Sequence, residues 1–374
     1  MKSIGIITIH KIFNYGSVLQ AYALQYICEK LGFRTEIIDY NFPNEFHRNN
    51  RFTTPDNNRK SEPLLLKLLF ALSLIRQHKG IAKFVGRHMK LSKTQYDSPH
   101  SLEENVPIYD VYITGSDQLW NPKHTNADPA FMLHFAPDSA LKISYAASIA
   151  STIPQELHSV YSKYLGRYSH ISLREEAGAG LVRRLVGRDA TTVLDPTLLL
   201  DAQEWNKMAA PSVKRKRKYI LCYFLNYSFD AFPYVDDFAE YVQKQTGYDI
   251  ISIARPPHKF KSLRHVQYRV GASVEEFLAL VRDAEIVLTT SFHGTAFALN
   301  FEKPLFTIIK SANEADSRQL GLMRSVGLEH LAISKDSPYP QISSAYYDKE
   351  TMRGRLQSLR NDSIDFLKDS LKDA

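Results

Sequence analysis

The stretch 286–300 constrains this chain more than any other. It begins with an apolar, largely β-branched run (Ile286, Val287, Leu288), turns at a polar knot and continues as an apolar segment too short to span a membrane. Lys303 and Pro304 then break the chain before a second strand-like run at 305–309. Strand, turn, short buried helix and strand make the repeating unit of a parallel α/β sheet. Ligands of such sheets collect at the carboxyl ends of strands, and the free N–H groups of a helix start favour anions. Ser291, His293, Gly294 and Thr295 fall at that place. Glycine permits close approach to the backbone, and histidine titrates near neutrality. On spacing alone, such a His-Gly pair is more often structural than functional.

At 374 residues the chain is long enough for two domains. A hydrophobic content of 44% and a charged content of 23% describe an ordinary globular protein. Cys28 and Cys222 lie in apolar runs and read as small core residues, which fits a reducing cytosol and a cytoplasmic protein. Residues 1–6 run straight into a strand pattern, so no signal peptide is expected. No apolar run reaches the length of a transmembrane helix. The net charge of +7 suits an anionic substrate or an acidic membrane face. The basic run 214–218 is short, follows Pro211 and lacks interleaved aromatic residues. It reads as a solvated interdomain linker, and no nucleic-acid partner is expected.

In chain order, 4–9 reads as a buried strand, 14–17 as a turn with Ser17 as a helix cap, and 34–40 as the next strand. The turn lacks the dinucleotide fingerprint, so no nicotinamide cofactor is supported. The region 41–97 reads as an insertion, polar at 44–59 and helical, amphipathic and basic at 64–89. Packing on the core and contact with a membrane surface both suit that helix. Strand 108–114 ends in Gly115, Ser116, Asp117, Gln118, Leu119 and Trp120. There Asp117 suits proton acceptance or a turn cap, Ser116 an oxyanion, and Trp120 a sugar face or the core. Arg174 follows a strand at 171–173 and suits a carboxylate or phosphate. The pattern restarts after the linker with a strand at 219–225 and a helix from Val274 capped by Ser273. The division expected is 1–210 and 211–374, an α/β fold with the ligand cleft between the domains and a terminal helix at 361–372 free to return to the first.

Six segments in this order resemble the polysaccharide pyruvyl transferase family. They are Asn14-Tyr15-Gly16-Ser17-Val18-Leu19-Gln20, Gly115 to Trp120 as above, Tyr145-Ala146-Ala147-Ser148, Ser172-Leu173-Arg174-Glu175, Asp195-Pro196-Thr197-Leu198-Leu199, and Ser291-Phe292-His293-Gly294-Thr295. The resemblance implies two Rossmann-like domains facing a central cleft, similar to GT-B glycosyltransferases. It implies transfer of an enolpyruvyl unit from phosphoenolpyruvate to a sugar, leaving a ketal across two hydroxyls. Phosphoenolpyruvate is then a donor substrate and no cofactor is needed. The acceptor is a sugar or a lipid-linked oligosaccharide, which would bring the protein to the inner face of the cytoplasmic membrane as a peripheral partner.

Asn14, Gly16, Ser17, Gln20, Ser116, Trp120, Arg174, Ser291, Gly294 and Thr295 are the substrate-binding candidates that this resemblance collects. Family members often carry arginine where this chain has Ser291, and leucine where it has Phe292. A serine supplies no charge for the donor phosphate, so Lys310 or Arg318 is expected to supply it. His293 is the expected general acid and Asp117 the base for the acceptor hydroxyl. No segment has the spacing of a metal site. Two other readings of the same pattern are a GT-B-type glycosyltransferase using a nucleotide sugar, and a non-catalytic sugar- or anion-binding homologue.

Overall fold

The computed structural model describes residues 1–41, 64–213, 215–225, 228–253, 265–311 and 318–374; the expectations placed on 44–59 and Lys214 lie outside these. The chain divides into two compact units, one of Met1–Arg48, Phe84–Leu199 and Gln357–Ala374, the other of Asn49–Lys83 and Leu200–Leu356. The division thus falls after Leu199, not after residue 210. The cause is visible in Trp205, which is fully buried edge-to-face on Phe297 and commits residues 202–208 to the second unit.

The first unit holds β1 (Ser3–Ile7), β2 (Arg34–Tyr40), β3 (Leu91–Tyr96), β4 (Val111–Thr114), β5 (Leu141–Ala147), β6 (His170–Leu173) and β7 (Thr191–Thr192). They form one parallel sheet in the order β3-β2-β1-β4-β5-β6-β7. The second unit holds β8 (Tyr219–Tyr223), β9 (Asp249–Ser252), β10 (Val266–Tyr268), β11 (Ile286–Thr289), β12 (Leu305–Ile309) and β13 (Ala332–Ser334), parallel in the order β10-β9-β8-β11-β12-β13. Both sheets are doubly wound. Ile4, Ile6, Ile113, Ile143, Val287 and Leu288 are fully buried, as strands covered on both faces require. The strand order reverses between β1 and β4, and again between β8 and β11. At such points neighbouring loops part and leave a crevice at the carboxyl ends.

The helices used below are α1 (Tyr15–Lys30), α2 (Leu64–His88), α3 (Tyr234–Thr246), α4 (Val274–Arg282), α5 (Phe292–Asn300), α6 (Arg318–Ser325) and α7 (Lys349–Ser370). Asn14, not Ser17, caps α1: its side chain accepts from the N–H groups of Gly16 and Ser17. Ser273 caps α4 in a reciprocal box with Glu276. The interval read as an insertion contains β3, the edge strand of the first sheet. Its residues are mostly polar and exposed, with only Tyr96 buried, so no apolar run announces it. The basic residues 215–218 are not simply solvated. Arg217 pairs with Asp249 at 2.8 Å, Lys218 reaches Glu285 at 3.4 Å, and Arg215 lies over the Tyr219 ring. In the first unit, α7 is tied to the chain after β7: Ser363 Oγ accepts from Leu194 N at 2.9 Å, and Arg360 Nε donates to Leu198 O at 2.7 Å. Both cysteines are fully buried thiols.

Asp236, in the first turn of α3, is buried, and its carboxyl is pushed up to about 7 by burial and by Asp237 and Glu240. The folded state therefore binds this proton more tightly than the unfolded chain. The stability it contributes is present below about pH 4 and is lost as pH rises through 7. Urea unfolding at pH 5 and pH 8 is expected to show a loss of about 2–3 kcal/mol from this group. Asp236→Asn is expected to remove most of that difference.

Candidate active site

The reversal point of the first sheet is built around two carboxylates and one guanidinium. Asp195 sits in a Pro-initiated turn, where its Oδ1 accepts from Thr197 N at 3.0 Å and Thr197 Oγ1 at 2.7 Å. Its Oδ2 accepts from Ser116 Oγ and from Arg174 Nη1, both at 2.8 Å. Arg174 also approaches Asp117 Oδ1 at 3.9 Å, and Asp117 Oδ2 accepts a short hydrogen bond from Ser17 Oγ. The start of α1, the loop after β4, the end of β6 and the turn after β7 are thereby joined through side chains that water scarcely reaches: the Arg174 and Asp195 side chains are 1% and 0% exposed.

Backbone geometry reinforces the joint. Asp117 holds φ at 85°, a left-handed conformation uncommon outside glycine, and its carbonyl accepts from Ser148 N at 2.9 Å. Glu175 Oε1 gathers Ser148 Oγ, Ile149 N and Ala150 N, fixing the irregular end of β5. Gln20 is fully buried and donates to Thr8 Oγ1 at 2.9 Å and Ser17 O at 2.9 Å, while Thr8 Oγ1 donates to Ser116 O at 3.0 Å. Gln20 therefore positions the loop after β1 from beneath.

Trp120 takes the core alternative. It is fully buried, donates to Phe131 O at 3.0 Å and packs edge-to-face on Tyr168, so it offers no face for a sugar. Arg174 does pair with a carboxylate, but with the protein's own. Asp195 and Glu175 belong to this arrangement; both lie in segments that carry the family resemblance, but neither is among the substrate-binding candidates drawn from it. A further group was missed altogether. Lys11 Nζ binds both Asp39 oxygens at 2.6 and 2.7 Å, and His10 Nε2 meets Asp39 at 3.2 Å. Burial pushes Asp39 up, but the hydrogen bonds from His10 and Lys11 outweigh it and hold the carboxyl below its usual range.

The reversal point of the second sheet carries hydroxyls, an amide and an imidazole. Ser291 caps α5, its Oγ accepting from Gly294 N at 3.3 Å. Its own N–H donates to Thr289 Oγ1 at 3.0 Å, and Thr289 Oγ1 donates to Tyr223 O at 2.8 Å. Thr295 is fully buried and donates to Thr307 Oγ1 at 2.8 Å, so it anchors α5 to β12. Gly294 is required by packing: a Cβ there would meet Thr289 Oγ1 at 2.2 Å and the Tyr223 ring at 3.0 Å. His293 lies in the first turn of α5, 5% exposed and edge-to-face with Phe292. Gln319 Nε2 donates to Thr290 O at 2.9 Å, which sets the start of α6 against this turn. Arg318, half-buried, immediately precedes Gln319, and Lys310 is exposed just after β12. Among the described residues no group of histidine, cysteine or carboxylate side chains could hold a metal ion.

These two doubly wound parallel sheets define an α/β protein with the fold of GT-B glycosyltransferases and related epimerases. The chain is similar to a UDP-N-acetylglucosamine 2-epimerase of Listeria monocytogenes, at 9% identity and a TM-score of 0.53 over 98% of this chain and 90% of that one. It is also similar to the UDP complex of MnaA from S. aureus, at 13% identity and a TM-score of 0.50 over 94% of each chain. An O-GlcNAc transferase of Thermobaculum terrenum matches at 14% identity and a TM-score of 0.51, over 100% of this chain and 66% of that one. Among curated protein sequences there is no match. Residues 14–309 match the polysaccharide pyruvyl transferase family, and the chain belongs to that family.

Removing the charge of Asp195 would take from the buried Arg174 the carboxylate that it meets at 2.8 Å, against 3.9 Å for Asp117. Asp195→Asn is expected to destabilise the first unit by about 3–5 kcal/mol, as loss of one partner of a buried ion pair does. Denaturant unfolding of the variant against the parent checks this.

Proposed function

We propose that the protein transfers a pyruvyl unit from phosphoenolpyruvate to a sugar of a cell-surface polysaccharide or its lipid-linked precursor, in the cytoplasm. The observation that carries this reading is the placement of His293 and Ser291 in the first turn of α5, at a sheet reversal point, in a chain of this family. A helix start offers N–H groups and a partial positive charge to a phosphate. Ser291 adds no charge, and Lys310 and Arg318, which flank the β12–α6 connection, supply it in this reading.

The reaction balances without a cofactor. The donor methylene takes a proton, one acceptor hydroxyl adds to the central carbon, and the C–O bond to phosphate breaks. The second hydroxyl then closes the ketal. Of the two protons released by the hydroxyls, one has its counterpart in the new methyl group and the other leaves with inorganic phosphate. His293 is assigned as the acid toward the methylene, and Asp117 as the base toward the acceptor. In this reading Ser17, which donates to Asp117, passes the hydroxyl proton on.

Calorimetry with phosphoenolpyruvate and with UDP-N-acetylglucosamine as competing donors tests the reading. Phosphoenolpyruvate is expected to bind, and Arg318→Ala to weaken it by roughly 2–5 kcal/mol. His293→Gln is expected to keep the fold and donor affinity while lowering turnover about a hundredfold or more. Binding of the nucleotide sugar with no response to phosphoenolpyruvate would replace this reading with sugar transfer.

A further inference from the structure

We propose that the exposed face of α2 docks the protein on an anionic lipid surface. This rests on residues 64–83 of α2 and their surroundings in the second unit, not on the identity of the donor. The C-terminal half of α2 is held by its own apolar residues: Ile81, Phe84 and Val85 are at most 5% exposed. The preceding turns are different. Leu68 and Leu72 are each 55% exposed and Ile75 is 51% exposed. At 3.6 residues per turn these three fall along one line, and Lys79 and Lys83 continue it. Leucine and isoleucine side chains left in water at successive turns mark a contact surface more than scattered single residues do.

Charge decides the occupant. The 25-residue helix carries Lys67, Arg76, Lys79, Lys83 and Arg87 and not one aspartate or glutamate. A second copy laid on the same face would bring like charges together, which disfavours a symmetric pair. A phosphate-bearing bilayer meets both requirements: the apolar line enters the headgroup boundary while lysines and arginines meet phosphates. Among the described residues no helix is long and apolar enough to cross a membrane, so α2 is a helix that lies on the surface. Beside the apolar line, Ser73 and Arg76 form one wall of a cavity of about 160 Å³ that Arg215, Tyr219, Arg269, Glu276 and Asp283 also line, three arginines against two carboxylates. Arg76 is paired with Glu276 at 2.7 Å and Arg215 lies over Tyr219, while Arg269 is exposed at the rim. This basic rim gives a headgroup phosphate a place next to the inserted side chains.

Flotation of the full chain with vesicles tests the proposal. The protein is expected to float with mixed phosphatidylcholine–phosphatidylglycerol vesicles, and at least about tenfold less with phosphatidylcholine alone. The pair Leu72→Ser and Ile75→Ser, and separately the pair Lys79→Glu and Lys83→Glu, are each expected to lower the bound fraction about tenfold. Circular dichroism and phosphoenolpyruvate binding are expected to stay unchanged in both. No association with the mixed vesicles overturns the proposal, as does association that neither pair affects. Lipid-free self-association that Leu72→Ser and Ile75→Ser abolish would assign the face to a second copy instead.

Discussion

The first unit depends on one buried carboxylate. Asp195 satisfies four donors at once, and those donors come from three places: the loop after β4, the end of β6 and its own turn. A charged pair this deep is costly to desolvate, so it adds less to stability than its distances suggest. What it provides is a fixed address. With Asp195 in place, Arg174 has one low-energy position, which in turn sets a cation 3.9 Å from Asp117. The terminal helix closes the arrangement from the other side, since Arg360 and Ser363 hold the backbone on either flank of that turn.

The second unit reaches a comparable rigidity without charge. Thr289, Thr290, Ser291 and Thr295 link β8, β11, α5 and β12 through hydroxyl bonds, and Gly294 lets the helix start close against β8 and β11. The two reversal points therefore differ in character. The first holds carboxylates in a buried, ion-paired network, and the second presents a helix start, which favours an anion, beside an imidazole.

Apolar periodicity makes most of the sheets legible: the strands at 34–40, 286–289 and 305–309 are apparent from buried runs between polar turns, and the one read at 219–225 ends two residues earlier, at Tyr223. The edge strand β3 is not legible in this way, because a strand solvated on one side carries few apolar residues. The change of unit falls after Leu199, earlier than the basic run suggests, because that run looks like a linker until the pairing of Arg217 with Asp249 and of Lys218 with Glu285 is known. At the site, residue type was legible but direction was not. Trp120 and Arg174 carry the right groups for a ligand, yet one turns into the core and the other into a carboxylate whose own position depends on a turn some twenty residues away in sequence. Only tertiary structure reveals which way such a side chain points.

Turnover in deuterium oxide tests the pyruvyl-transfer reading most directly. With phosphoenolpyruvate and a set of glycan acceptors, mass spectrometry of the product is expected to show one added pyruvate ketal whose methyl group carries one deuterium, with one inorganic phosphate released per ketal. Glycosyl addition from a nucleotide sugar, with phosphoenolpyruvate left intact, would contradict the account.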